Sequence, residues 1–135
     1  MAERKAVFPA DPHALFTLHR YSPAIRSGDL LFVSGMVGAR ADGSPEPDTK
    51  EQVRLAFRNL NGVLEAAGGS FDDVVDVTLL IVDPETNFGE IFEVLPEFWG
   101  EEPYPNVTAA GVTWLAGFLF EIKVIARIPA GEDNG

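Results

Sequence analysis

From Phe118 to Ile128 the chain alternates without interruption, with Phe118, Phe120, Ile122, Val124, Ala126 and Ile128 on one face of an extended strand. Leu119, Glu121, Lys123, Ile125 and Arg127 take the other face. A strand with one wholly apolar face must lie in a sheet, and that face needs a second layer over it. The rest of the chain therefore has to supply partner strands and a cover.

Partner strands are readable upstream. Val74–Val82 is rich in β-branched residues, and its alternation predicts Val75, Val77, Leu79 and Ile81 on one face with Asp76 and Thr78 on the other. The run Asp29–Gly35, after a turn at Arg26-Ser27-Gly28, predicts a short, mostly buried strand. Beyond the proline-rich link Glu101–Pro105, Asn106–Leu115 and Phe118–Ile128 read as two adjacent strands joined by a turn at Gly117.

The cover is helical. Val53, Phe57, Leu60, Leu64 and Ala67 recur every four or three residues and form one apolar stripe. Asp48 is the expected N-cap, Glu51 its capping-box partner, and Gly68-Gly69 the stop. A second, shorter helix is expected from the Asn87/Glu90 capping signal, with Phe88, Ile91, Phe92 and Leu95 on its apolar face and a break at Pro96. The order of strands, helix, strand, helix and two strands predicts an α+β domain, a mixed sheet with two helices packed on one face.

With 135 residues, 46% of them hydrophobic, the chain is expected to form one domain over 1–135, with an ordered core from about 14 to 129 and a frayed tail at 131–135. It has no cysteine, which removes disulfides, thiolate metal sites and cysteine nucleophiles. Ten Lys and Arg against 21 Asp and Glu give a net charge of −11, which repels a phosphate backbone and an anionic membrane surface. Neither a signal peptide nor a membrane span is readable at the N-terminus. The expectation is a cytoplasmic protein with no nucleic-acid or membrane partner.

Few residues carry chemistry by themselves. His13 and His19 are six apart with no third ligand in register, so they read as surface or turn residues and not as a metal site. No GxSxG elbow, P-loop or GxGxxG follows a strand. Glu121 interrupts an apolar strand. It is either part of an exposed Glu/Lys ladder with Lys123 or an acid/base carboxylate at a cleft, and spacing leaves both open. The hydroxyls of Tyr21 and Ser34 flank the first predicted strand, where each can orient a ligand or satisfy a turn. Leu119 and Ile125 make the face of Glu121 half apolar, as expected of a surface covered by another subunit.

Three blocks resemble the Rid family, the reactive intermediate deaminases also called YjgF: Tyr21–Gly35 (YSPAIRSGDLLFVSG), Asn59–Gly68 (NLNGVLEAAG) with Phe71–Thr78 (FDDVVDVT), and Pro103-Tyr-Pro105 with Glu121–Ala126 (EIKVIA). They span about Tyr21 to Ile128 in the family's order. The resemblance implies a chorismate-mutase-like α+β fold, assembled as a homotrimer with ligand clefts between subunits. It also implies hydrolysis of reactive imines and enamines, a form of metabolite repair, with no metal or other cofactor.

Carried over by position, Glu121 matches the glutamate thought to hold the attacking water, Tyr21 the cleft tyrosine and Ser34 the cleft serine. Asn106 and Thr108 fall in the segment that borders the cleft in relatives. The chain departs from the pattern at Val107, where deaminating members carry an arginine that grips the substrate carboxylate. Phe92 stands where many carry asparagine, and the loop from Leu115 to Glu121 is slightly shorter. Three expectations follow. The first is a Rid-like hydrolase whose imine or enamine substrate lacks that carboxylate or has it held by Arg20 or Arg26. The second is a different hydrolytic or deaminating step that uses Glu121 on a more apolar substrate packed on Val107, Phe92 and Trp114. The third is a non-catalytic trimer that binds a small metabolite or regulates a partner.

Overall fold

The structure is a computed structural model that describes residues 4–130. The tail at 131–135, expected to fray, lies outside them. The described elements are β1 (Lys5–Val7), α1 (Leu15–His19), β2 (Ala24–Ser27), β3 (Leu30–Val33), β4 (Met36–Val37), α2 (Thr49–Ala66), β5 (Val74–Val82), α3 (Pro84–Val94), β6 (Asn106–Val112) and β7 (Phe120–Arg127). The strands form one mixed sheet in the order β1-β2-β3-β7-β5-β6, with β4 also pairing β7.

The alternating strand is central. β7 runs antiparallel to β3 and β4 on one side and to β5 on the other. Its inward residues Phe120, Ile122, Val124 and Ala126 are buried, with Phe118 and Ile128 just beyond its ends. Helix α2 covers this face with Val53, Phe57, Leu60 and Leu64, all fully buried, and α3 packs beside it with Ile91 and Val94.

Several local expectations are corrected. β6 and β7 are not neighbours: β6 pairs parallel with β5, and β5 separates the two. The parallel pair requires a crossover, which α3 supplies. In β5 the pairing skips a residue between Val74 and Asp76, so Val75 is extruded and exposed while Val74, Val77, Leu79 and Ile81 are buried. The turn expected at 26–28 lies at Gly28-Asp29, because Arg26 and Ser27 belong to β2; Gly28 sits at φ 60° in a two-residue hairpin.

Helix α2 starts as expected, with the Asp48 carboxylate accepting from the Glu51 N–H at 3.0 Å. The capping box is only half made, since the Glu51 side chain pairs with Arg54. Helix α3 begins at Pro84, earlier than the Asn87 signal; the Asn87 side chain instead donates to the Val82 carbonyl at 2.7 Å. Its exposed face carries Phe88, half exposed and stacked on Phe92 at 4.1 Å, while Ile91, Val94 and Leu95 face the core. The break at Pro96 appears as a 3-10 turn over Leu95–Glu97.

Edge strand β6 is exposed along Asn106–Gly111, and Val107 keeps about half its surface open. The outward sheet face carries Ile25, Phe32 and Ile125 in register across β2, β3 and β7. Among the described residues no helix is long and apolar enough to cross a membrane.

Candidate functional site

Glu121 projects from the outward face of β7, with Val37 of β4 opposite it on one side and Leu80 of β5 on the other. Two side chains of α2 hold this end of the sheet. Asn59 donates to the carbonyls of Val37 and Ala39, at 3.0 and 3.1 Å. Gln52, buried, donates to the Glu46 carbonyl at 2.9 Å and accepts the Leu119 N–H at 2.7 Å. Gly35 then completes the fit, because a Cβ there would overlap the carboxyl group of Glu121. None of Gly35, Gln52 or Asn59 stood out in the sequence as a site residue.

Tyr21 reaches the same region from α1. That helix ends in Arg20 at φ 58°, which reverses the chain, and the Tyr21 ring packs edge-on against Phe16 at 5.0 Å. The far wall is the loop through Trp114 and Leu115, which turns back through Ala116 at φ 54° and Gly117 at φ 99°. Together these segments enclose a cavity of about 290 Å³ whose polar side chains are His19, Tyr21 and Glu121; the rest of its wall includes Leu15, Val37, Trp114 and Phe118.

Partial burial pushes the Glu121 carboxyl above the usual glutamate range, and Lys123 opposes that rise. Burial also raises the Tyr21 phenol, assisted by the negative charge of Glu121. A half-buried carboxylate facing a phenol that keeps its proton can hold a water between an acceptor and a donor.

The expected site residues divide into two groups. Tyr21, Trp114 and Glu121 line one cavity. Ser34 lines an adjoining recess that shares Tyr21, and its hydroxyl donates to the Ser22 carbonyl at 2.7 Å. Phe92, Asn106, Val107 and Thr108 do not line this cavity within one chain; they lie on α3 and on edge strand β6.

Of the two cations considered, Arg26 is occupied by the carbonyls of Ile128 and Ala67, at 2.6 and 2.8 Å. Arg20 lines the recess beside Tyr21. His13 is a turn residue but not a surface one. It is buried, stacked on Phe16 at 4.2 Å, and its Nδ1 accepts the Leu15 N–H. Burial lowers its titration range against the opposing effect of its backbone hydrogen bond. Among the described residues no group of three His, Cys, Asp or Glu side chains is placed to hold a metal ion.

Comparison with known proteins agrees with this architecture. The model of the family described as Endoribonuclease L-PSP matches residues 12–128. The RutC family protein YjgH of Escherichia coli K12 is 65% identical over 129 residues, covering 96% of this chain and 98% of that one. A solved structure of YjgH superposes with a TM-score of 0.92 at 64% identity, covering 96% and 99% of the two chains. The RidA structure from an Antarctic Psychrobacter gives a TM-score of 0.83 at 30% identity, covering 93% of this chain and all of that one. A protein of Dermatophagoides farinae named 2-iminobutanoate/2-iminopropanoate deaminase is 31% identical, covering 70% of this chain and 74% of that one. A family match over most of the chain, on a mixed sheet with helices on one face, makes this chain a member of the Rid (YjgF) family.

Proposed function

We propose that the chain is a Rid-type hydrolase that converts a reactive imine or enamine to its carbonyl compound and the free amine or ammonia, with Glu121 holding and activating the attacking water. The observation that carries the reading is Glu121 itself, a half-buried carboxylate on an otherwise largely apolar cavity wall that also holds Tyr21. An iminium carbon is already electrophilic, so placing a water beside a base supplies much of the required acceleration. Tyr21 orients that water or the substrate nitrogen, and Trp114 offers an aromatic face to a cationic iminium.

The site is completed by a second copy. One chain carries Tyr21, Ser34, Trp114 and Glu121 at one end of the sheet, while Phe92, Asn106, Val107 and Thr108 lie on a helix and an edge strand with large exposed surfaces. In a homotrimer, the β6 edge of one copy closes the Glu121 cavity of the next. The apolar outward face of Ile25, Phe32 and Ile125 is the surface such an assembly buries.

Among the described residues no lysine or arginine lines the cavity itself, Arg20 lying in the adjoining recess, and Val107 adds no positive charge. The substrate is therefore an imine without a carboxylate, such as one released by oxidation of an amine. The same observation favours a second reading, a trimer that binds a small metabolite without turning it over. An RNA substrate is not favoured, because a net charge of −11 repels a phosphate backbone.

Imines generated in place by an amine oxidase and by an amino-acid oxidase, with and without the protein, test the reading. Faster loss of the carboxylate-free imine supports it. Acceleration of neither imine overturns it in favour of the binding protein.

A further inference from the structure

We propose that His19 is a catalytic residue of this site, the group that protonates the departing nitrogen, a role that rests on the hydrolase reading above. His19 is the last residue of α1, and the left-handed Arg20 that follows turns the chain so that His19 and Tyr21 both line the cavity of Glu121. Among the described residues these three are its titratable side chains. His19 makes no hydrogen bond or ion pair among the described residues, so both ring nitrogens are free for a ligand; His13, by contrast, uses Nδ1 on the Leu15 N–H.

The chemistry leaves one role unfilled. Water attacks the iminium carbon, the C=N π pair moves to nitrogen, and the proton leaving the water passes to the Glu121 carboxylate. The resulting carbinolamine does not expel an amide anion, so its nitrogen must first be protonated. Tyr21 is a weak acid for this task, since burial and the Glu121 charge strengthen its hold on its proton. Glu121 has just accepted a proton on the water side. An imidazole exchanges protons readily near neutrality, and here it sits in the same small cavity.

His19 gives its proton to nitrogen, and the C–N bond breaks with its pair leaving on the free amine. The oxygen lone pair forms the carbonyl, and the hydroxyl proton returns to the imidazole. Glu121 then releases its proton to solvent. The sum is iminium plus water to carbonyl compound, amine and a proton, and that proton is the one the imine took up from solvent to become the iminium.

The test uses the full chain with benzaldimine generated in place from benzylamine by a flavin amine oxidase. The 2-imino acid generated from leucine by an amino-acid oxidase serves as a second probe. His19 is exposed, so His19→Ala and His19→Asn should keep the parent's melting temperature and assembly mass. We expect kcat on the carboxylate-free imine to fall by about 100-fold with KM changed less than about threefold. Free imidazole should restore activity to His19→Ala but not to a His19→Ala, Glu121→Ala double variant, which controls for solution catalysis.

Full kcat in His19→Ala overturns the proposal while leaving the hydrolase reading intact. A rise in KM alone, without imidazole rescue, also overturns it and makes His19 a binding group. An inactive parent on both imines overturns the hydrolase reading and this proposal with it.

Discussion

The carboxyl group of Glu121 occupies the space that a side chain on Gly35 would fill. The proposed base therefore owes its position to the absence of a Cβ on a residue 86 positions upstream, the difference between 121 and 35. Gly35→Ala is expected to leave the fold intact, at a cost of about 1–2 kcal/mol, since the group that must move is the end of a side chain. Imine hydrolysis should fall by about 100-fold. A thermal melt and a rate assay on the same sample check both, and full activity in Gly35→Ala would remove Glu121 from its proposed position.

The raised Glu121 carboxyl gives two pH dependences. Below the ordinary glutamate range, folded and unfolded chains both hold the proton and the residue is neutral to stability. As pH rises above that range the unfolded chain releases the proton first, so stability falls until the folded carboxyl also ionises. Because the group is only half buried, the loss is small, and Glu121→Gln should melt about 1–2 °C above the parent at pH 7 with no gain at pH 3. Activity runs the other way. On the acid side it should rise with pH, with its inflection above the usual glutamate range, and Glu121→Gln should be slower by about 100-fold without that inflection.

Val107→Arg tests the substrate class. A guanidinium on β6 gives a carboxylate a bidentate partner. In the proposed trimer this variant should gain hydrolysis of the leucine-derived 2-imino acid, measured as faster ketoacid formation. Without a gain, either Phe92 and the shorter 115–121 loop have reshaped the cleft, or β6 does not border it.

Assembly is tested separately. Light scattering at micromolar concentration should give three times the 14.6 kDa chain mass. Ala109→Lys, a charge in the middle of the exposed β6 strand, should shift the mass toward the monomer and remove activity together. A monomeric parent would overturn the shared cleft.

Gln52 bridges the Glu46 carbonyl and the Leu119 N–H, two residues before Glu121. Gln52→Ala leaves both groups without that partner and should cost about 2–3 kcal/mol by urea denaturation. It should also lower activity through the displaced start of β7. An unchanged midpoint would mean that water replaces both bonds.

Much of the layer structure was legible in local signals. The period of two in 118–128 put six apolar residues inward, and every one is buried. The four-and-three spacing from Val53 to Leu64, with Asp48 as cap, located α2. Errors arose where local signals compete with tertiary ones. The capping pattern at Asn87 was real chemistry used otherwise, because Pro84 could open the helix three residues sooner. The alternation of β5 failed at Val75 because a bulge, set by pairing to β7, shifts the register.

The candidate site divides in the same way. Glu121 was conspicuous as a carboxylate in an apolar strand, and the resemblance to Rid proteins singled out Tyr21. His19 reads as a surface or turn residue and is one, exposed at the end of α1; that it lines the cavity of Glu121 is set by the left-handed turn at Arg20. Gly35, Gln52 and Asn59 did not stand out as site residues, since the partners that tie them to the site, Glu121, Leu119 and Val37, lie 86, 67 and 22 residues away in sequence.

The sequence by itself determined where strands and helices form and which side of each is apolar, because periodicity and caps act over three or four residues. Only the tertiary structure decided that β5 separates β6 from β7, that Glu121 meets Tyr21 and His19 in one cavity, and that Val107 stands apart on an open edge. Those relationships depend on strand order and on close approach between distant segments, which burial across the whole sheet selects and no local pattern encodes.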